Sequence, residues 1–358
     1  MPKIAIVQRP PVLLDRRATM ERAVQSVREA AAEGASLIVL PESFLPGYPS
    51  WIWRLAPGTD GALVGQLHAR LLDNAVDLGS GDLDPLCQAA RANAVTVVCG
   101  LNECDRRSRS GTLYNTVVVI GPDGQLQNRH RKLMPTNPER MVHGFGDASG
   151  LRAVDTPAGR VGTLICWENY MPLARYALYA QGVEIYIAPT YDAGDGWVSS
   201  MRHIALEGRC WVLGSGTALR AADIPADFPG REKLFPDPDE WINDGDSVVV
   251  DPQGKLVAGP MRREQGILYA AIDIARVAPA RRTLDVTGHY ARPDIFELRL
   301  RRTPAAPVRY IDNGGRTDTA ELNEPNEPNN AVAAFGGAPG TGAHSLARPL
   351  TAQTIGQH

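Results

Sequence analysis

Val161-Gly162-Thr163-Leu164-Ile165-Cys166-Trp167-Glu168-Asn169 sets a short apolar run directly before a thiol. The segment that follows, Met171–Gly182 (MPLARYALYAQG), has Pro172 near the first turn of a predicted helix and Gly182 just past its end. A strand that hands over to a helix in this way is the unit of an α/β fold. It also places Cys166 between a strand end and a helix N-terminus, where the field favours thiolate over thiol. The thiolate is the nucleophilic form. Taken alone, Cys166 is better read as a buried apolar thiol, the commoner case for a free cysteine.

The same alternation extends through the chain. Apolar, β-branched runs recur as KIAIVQ, ASLIVLPE, AVTVVCGLNE, NTVVVIG, VEIYIAPT, CWVLGSG, SVVVD and ILYAAIDI. Between them lie stretches with helical spacing. Residues 17–34 put Met20, Ala23, Val24, Val27, Ala30 and Ala31 on one face, and residues 62–77, 83–93, 172–181 and 198–208 read likewise. Runs that are apolar on successive residues belong to sheets covered on both faces. Two hairpins are expected, one turning at Gly121-Pro122-Asp123-Gly124 and one at Asp251-Pro252-Gln253-Gly254.

Two segments depart from this pattern. Residues 222–245, rich in Pro, Asp and aromatics, are too long for an ordinary connector and read as a functional or interface insertion. From Thr303 the composition collapses to Asn, Pro, Gly, Ala and Thr, which predicts a flexible tail over 303–358 after a single domain spanning 1–302.

Composition excludes several function classes. Lys and Arg number 37 against 40 for Asp and Glu, and the net charge of −3 makes no electrostatic case for nucleic acid or an anionic membrane. Five cysteines in no repeating spacing argue against a disulfide framework or a zinc site and for a reducing compartment. No apolar run approaches a transmembrane span or a signal peptide, so a cytoplasmic protein is expected.

Three residues could carry chemistry together. Glu42 follows the run SLIVL and enters a Pro- and aromatic-rich stretch, where poor solvation would raise its pKa toward a general base. Lys132 ends the return arm of the first hairpin in His130-Arg131-Lys132-Leu133-Met134-Pro135, a placement that suits an ammonium directed at developing negative charge. Glu139 could hold that ammonium, or serve as the acid of a surface turn. The glycines of Gly144-Phe145-Gly146-Asp147-Ala148-Ser149-Gly150 lack dinucleotide-loop spacing and read as a turn.

Glu42, Lys132 and Cys166, in that order, resemble the Glu-Lys-Cys triad of the nitrilase superfamily. The matching stretches are LPESFLPGYPSWIW around Glu42, GLNE with LYNT around Asn115, HRKLMPT with PER around Lys132 and Glu139, and CWENYMPLARYALYAQG with IAPT around Cys166. They span Lys3 to about Arg301, and the long forms resemble the true nitrilase branch. The resemblance implies a four-layer αββα sandwich that forms homodimers, often extended into larger spirals, with 222–245 as an assembly element. It implies hydrolysis of a small-molecule nitrile through a covalent thioimidate and acyl-thioenzyme, with no metal or organic cofactor. Lys132 and the amide beside Trp167 would stabilise developing charge. Tyr48, Thr136, His143, Trp167 and Pro189 would surround the substrate, the aromatics walling a dry pocket for a small or aryl-alkyl nitrile. His143 stands where many true nitrilases have an aromatic residue. The same residues admit an amidase or carbamoylase, a cyanide-hydrolysing relative, or a non-catalytic scaffold on this fold.

Overall fold

Each apolar run picked out above lies on a strand of the computed structural model, which describes residues 1–56, 58–106, 111–304 and 308. The expected tail lies outside the described residues apart from positions 303, 304 and 308. Met1–Pro307 form one compact unit. The first sheet comprises β1 (Lys3–Gln8), β2 (Ala35–Leu45), β3 (Thr96–Cys104), β4 (Leu113–Ile120), β5 (Leu126–Arg131) and the late β13 (Gly266–Ala271). The second comprises β6 (Val154–Thr156), β7 (Gly159–Thr163), β8 (Ile185–Pro189), β9 (Trp211–Ser215), β10 (Ala218–Arg220), β11 (Trp241–Val250) and β12 (Leu256–Arg262). Their orders are β13-β1-β2-β3-β4-β5 and β10-β11-β9-β8-β7-β6, with β12 on β11. Both expected hairpins are present, as β4–β5 and β11–β12.

The continuous apolar runs are explained by two buried faces per sheet. Ile4, Ile6, Leu37, Val39, Val98, Val117 and Val119 of the first sheet meet Val161, Ile185, Ile187, Trp211, Leu213 and Val249 of the second in one core. The alternate residues Ala5, Val7, Ile38, Leu40, Val97 and Val118 pack outward on α1 (Arg16–Ala32) and α3 (Asp84–Asn93). On the other side Tyr186, Ala188, Val212 and Val248 pack on α4 (Pro172–Tyr179) and α5 (Asp195–Gly208). With a strand period of two, every residue of these strands faces either the central core or a helix layer. The result is a four-layer αββα sandwich. Helix α1 shows the expected stripe, with Met20, Ala23, Val27 and Ala30 buried, and its N-terminus is capped by the Asp15 carboxylate accepting from the Ala18 amide at 2.9 Å.

The 222–245 stretch is not a loop. Ile224, Phe228, Leu234 and Phe235, with the short helix α6 (Arg231–Leu234), bury against Trp51 and against Leu67 and Leu71 of α2 (Gly61–Asn74). Its last five residues already belong to β11. The Asp and Pro content that reads as a break in the sequence is the surface of a folded cap. After β13 the last helix among the described residues is α7 (Val277–Thr283). Among the described residues no helix is long and apolar enough to cross a membrane.

Candidate active site

Strand β2 carries Glu42 to the edge of the central core. The strand runs on to Leu45, so Glu42 lies inside it rather than closing it. Its pairing with β3 is irregular between Leu40 and Leu45, and Ser43 has φ +49°. This bulge turns the Glu42 side chain toward the second sheet. It is accommodated by Gly100 on β3, where a Cβ would lie 2.2 Å from the Pro41 carbonyl oxygen.

Lys132 directly follows β5, its amide donating to the Asn115 carbonyl at 2.7 Å. The glycine-rich stretch lies along this backbone. The Gly146 amide donates to the Lys132 carbonyl at 2.8 Å, and a Cβ on Gly146 would meet the Arg131 carbonyl at 2.2 Å. The glycines read as a turn therefore allow a close packing of one main chain on another at the Lys132 segment.

The Lys132 ammonium, wholly buried, donates to Glu42 Oε1 at 2.8 Å and to Glu139 at 2.8 Å (Oε2) and 3.1 Å (Oε1). Glu139 also accepts from the Tyr48 hydroxyl at 2.7 Å and the Thr136 amide at 2.9 Å. Glu42 accepts from Asn115 Nδ2 at 2.7 Å on Oε1 and from the Tyr191 amide at 2.6 Å on Oε2. Each carboxylate oxygen offers two acceptor positions. Glu139 is therefore full, and Glu42 keeps one open position, on Oε2.

The charges separate the two acids. Burial raises the Glu42 pKa above the usual carboxylate range, and the Glu139 charge adds to this against the pull of Lys132. For Glu139 burial acts upward too, but the Lys132 ammonium outweighs it and holds the group below its ordinary value. Lys132 loses its proton less readily than an ordinary lysine, because Glu42, Cys166 and Glu139 outweigh its burial. The buried Tyr48 phenol, beside both acids, stays protonated.

Cys166 opens a 3-10 turn, Cys166–Tyr170, that separates β7 from α4. It adopts φ +51°, a left-handed conformation that a side chain disfavours by about 1–2 kcal/mol. Asn169 holds the turn, its Nδ2 donating to the Cys166 carbonyl at 2.6 Å and to the Leu164 carbonyl at 3.2 Å. Asn169 is itself fixed by the Tyr186 hydroxyl at 2.7 Å. The expectation of a thiolate-favouring helix field is overturned. Burial first, and then the Glu42 charge, push the Cys166 thiol above its ordinary pKa despite Lys132. Low dielectric and a nearby anion outweigh the ends of an eight-residue helix that starts six residues later.

Cys166 and Glu139 border a cavity of ≈ 270 Å³ whose wall includes Tyr48, Ser50, Trp53, Arg54, Thr136, Trp167, Tyr191, Asp192, Ile242 and Asn243. Of the five residues expected around the substrate, Tyr48, Thr136 and Trp167 are there. His143 and Pro189 are not. His143 is buried behind the site, where its ring donates to Asn102 Oδ1 at 2.8 Å and its amide to the Glu139 carbonyl at 2.7 Å. Pro189 is buried at the end of β8. The cavity is not a purely apolar wall either. Asp192 accepts from the Trp167 indole at 2.9 Å, and Arg54 is paired with Glu240 of the cap. Tyr191 stacks on Tyr48 with ring centroids 3.9 Å apart. Asn115, named in the sequence only as the centre of the LYNT match, and Tyr191, missed there, are the most closely engaged of the residues given no role. Their signals were only the LYNT stretch and the position directly after IAPT.

The sequence profile of the carbon-nitrogen hydrolase family matches residues 3–282. The aliphatic nitrilase of Sinorhizobium fredii (strain HH103) is 42% identical over 307 residues, covering 86% of this chain and 97% of that protein. The bifunctional nitrilase/nitrile hydratase NIT4B of Nicotiana tabacum is 37% identical over 329 residues, 89% of this chain and 91% of that one. Among solved structures, Saccharomyces cerevisiae Nit3, a member of branch 10 of the nitrilase superfamily, superposes with a TM-score of 0.63 at 22% identity over 81% of this chain and 96% of that chain. That last likeness concerns the fold.

Proposed function

The chain belongs to the carbon-nitrogen hydrolase family, and from that premise we propose that it is a nitrilase converting an organic nitrile and two waters to the carboxylic acid and ammonia. The observation that supports the residue roles is the open position on Glu42 Oε2, an acid whose charge acts on a thiol that burial holds protonated. A protonated thiol needs a base at the moment of attack, and Glu139 has no position left to accept its proton.

Glu42 takes the Cys166 proton as Sγ bonds to the nitrile carbon, and the nitrogen takes up that proton to give a thioimidate. Glu42 then deprotonates a water that adds to the same carbon. The resulting tetrahedral species carries OH, NH2 and the Cys166 sulfur. The proton that Glu42 took from water has made that nitrogen NH2; Glu42 now moves the hydroxyl proton to it, a C=O forms as the C–N bond breaks, and ammonia leaves an acyl-thioenzyme. A second water, activated in the same way, breaks the C–S bond and restores the thiol. The Lys132 ammonium and the amide beside Trp167 stabilise the negative charge that develops in these steps; one such donor is worth about 3–4 kcal/mol. Glu139 keeps Lys132 oriented. Trp167, Tyr48 and Thr136 wall the substrate.

The proposal extends to setting and assembly. The five free cysteines suit a reducing cytoplasm. A homodimer that extends into a larger spiral would use the cap over 222–245 as an assembly element.

The test is ammonia release from a panel of aliphatic and aromatic nitriles, cyanide and the matching amides, by wild type and Cys166→Ala. Acid and ammonia from organic nitriles, lost by at least about 10⁴-fold in the variant, is the expected result. Release from amides or cyanide alone would move the substrate class. Turnover retained in Cys166→Ala would end the covalent route.

A further inference from the structure

Glu168 lies two residues after Cys166 and does not border the cavity, yet it is among the most fully engaged acids of the protein. It is 1 % exposed. Its Oε2 accepts from the Ile165 amide at 2.7 Å, immediately before the nucleophile. Its Oε1 accepts from the Leu133 amide at 2.6 Å, immediately after Lys132. His130, wholly buried at the end of β5, places Nε2 3.2 Å from Oε1 and 3.1 Å from Oε2. Both oxygens thus accept, and the His130 ring must carry its proton on Nε2. The opposite nitrogen, Nδ1, is buried without a partner among the described residues. A bare acceptor there is tolerated more cheaply than an orphaned N–H, which favours the same tautomer.

This arrangement joins two pieces of chain that nothing in local sequence connects. The segment 130–133 carries the cation, and the segment 165–168 carries the thiol. They belong to different sheets of the sandwich. One carboxylate grips the amide flanking each functional residue, and His130 braces that carboxylate from behind. We propose that Glu168, braced by His130, is a positioning residue that sets the distance between the Lys132 ammonium and the Cys166 sulfur, and through it the choice between acid and amide product.

The proposal rests on the nitrilase reading. The tetrahedral species has two exits. If the nitrogen is protonated and the C–N bond breaks, ammonia leaves and acid follows. If the C–S bond breaks instead, the electron pair stays on sulfur, the thiol regains its proton and the amide leaves. Which bond breaks depends on where the ammonium and Glu42 stand relative to sulfur and nitrogen. A misplacement of about 1 Å in such a site changes rates by about 10²-fold. Glutamine cannot replace this carboxylate: its NH2 would face the Ile165 or the Leu133 amide, donor against donor, and one grip would open.

The experiment compares wild type, Glu168→Gln, His130→Ala and His130→Gln. One aliphatic nitrile gives the acid-to-amide ratio, a quantity independent of how much enzyme is folded. Carbamidomethylation of Cys166 by iodoacetamide, located by mass spectrometry, reports the thiol without any nitrile. Glu168→Gln is expected to shift the ratio toward amide by about tenfold or more and to lower kcat about a hundredfold with KM little changed. It should also change the alkylation rate. His130→Ala should act in the same direction more weakly. His130→Gln, which returns an N–H near the Nε2 position, should restore the ratio to within about twofold of wild type. An unchanged ratio and alkylation rate in folded Glu168→Gln overturns the proposal. If that variant does not fold, an unchanged ratio in His130→Ala overturns it. Should wild type yield neither acid nor amide from any nitrile, the nitrilase reading fails, and unchanged alkylation in His130→Ala and Glu168→Gln decides against the clamp by itself.

Discussion

The two sheets supply unlike halves of the site. The first brings charge: Glu42 on β2 and Lys132 after β5, fixed by Asn115 on β4 and joined by Glu139. The second brings a neutral thiol on a left-handed turn held by side-chain hydrogen bonds. In the first half the charges act on one another: Lys132 outweighs burial at Glu139, the acids outweigh burial at Lys132, and at Glu42 burial and the Glu139 charge win. In the second, burial and the Glu42 charge outweigh the pull of Lys132 and hold the thiol un-ionised. A nucleophile kept as a thiol is protected from adventitious reaction and becomes a thiolate only as a base takes its proton. The difference teaches that reactivity here belongs to the meeting of the sheets rather than to either one.

The strongest way to break this division is to remove the cation. Lys132→Ala leaves two buried carboxylates facing each other without compensation. It should lower kcat by about 10³–10⁴-fold and destabilise the fold by about 3–5 kcal/mol, as loss of one member of a buried ion pair does. Steady-state kinetics and urea unfolding check both. Near-normal activity would detach the charged half from the chemistry.

The two acids of the charged half can then be set against each other. Glu42→Gln removes the base and should cost about 10³-fold in kcat. Glu139→Gln should cost less, and its signature is in the pH profile. Glu42 must be ionised to act, so kcat/KM rises with pH through its raised pKa. The Glu139 charge contributes to that elevation, so its removal should move the acid limb to lower pH. A limb that stays or moves upward would show that Glu139 does not tune Glu42.

The smallest effect lies behind the site. Burial lowers the His143 pKa to about 4 from an unfolded value near 6.5. Above pH 6.5 the ring is neutral in both states and nothing is lost. Between 6.5 and 4 the unfolded chain binds a proton that the folded one refuses, so stability falls as pH drops through this window. The loss reaches about 3 kcal/mol near pH 4. His143→Gln should remove roughly 2–3 kcal/mol of the stability difference between pH 7 and 4.5, read from urea curves.

Much of this was legible in the sequence. Period-two burial on both faces produces continuous apolar runs, and each run named from the sequence became a strand. Glu42, Lys132, Glu139 and Cys166 were each ambiguous alone, and it was the resemblance of the set to a family triad that picked them out. What was not legible depended on partners far along the chain. The placement of Cys166 before a helix suggested a lowered pKa, but burial and an acid from β2 reverse it. The Pro- and Asp-rich 222–245 stretch looked like an excursion because its four buried apolar residues are spread among polar ones. Asn115 and Tyr191 act through a side chain and a backbone amide whose targets no spacing reveals, and His143 lies behind the cavity rather than in it.

The chain by itself therefore determined the alternation of strands and helices, the two-faced burial of its sheets and the identity of the chemical groups. These are local properties of hydrophobic period and residue type. Only the tertiary structure decided the protonation states, the cavity wall and the grip of Glu168 on both halves. Electrostatic energy and hydrogen-bond geometry depend on distances through space, and the folding of two sheets onto one core is what sets them.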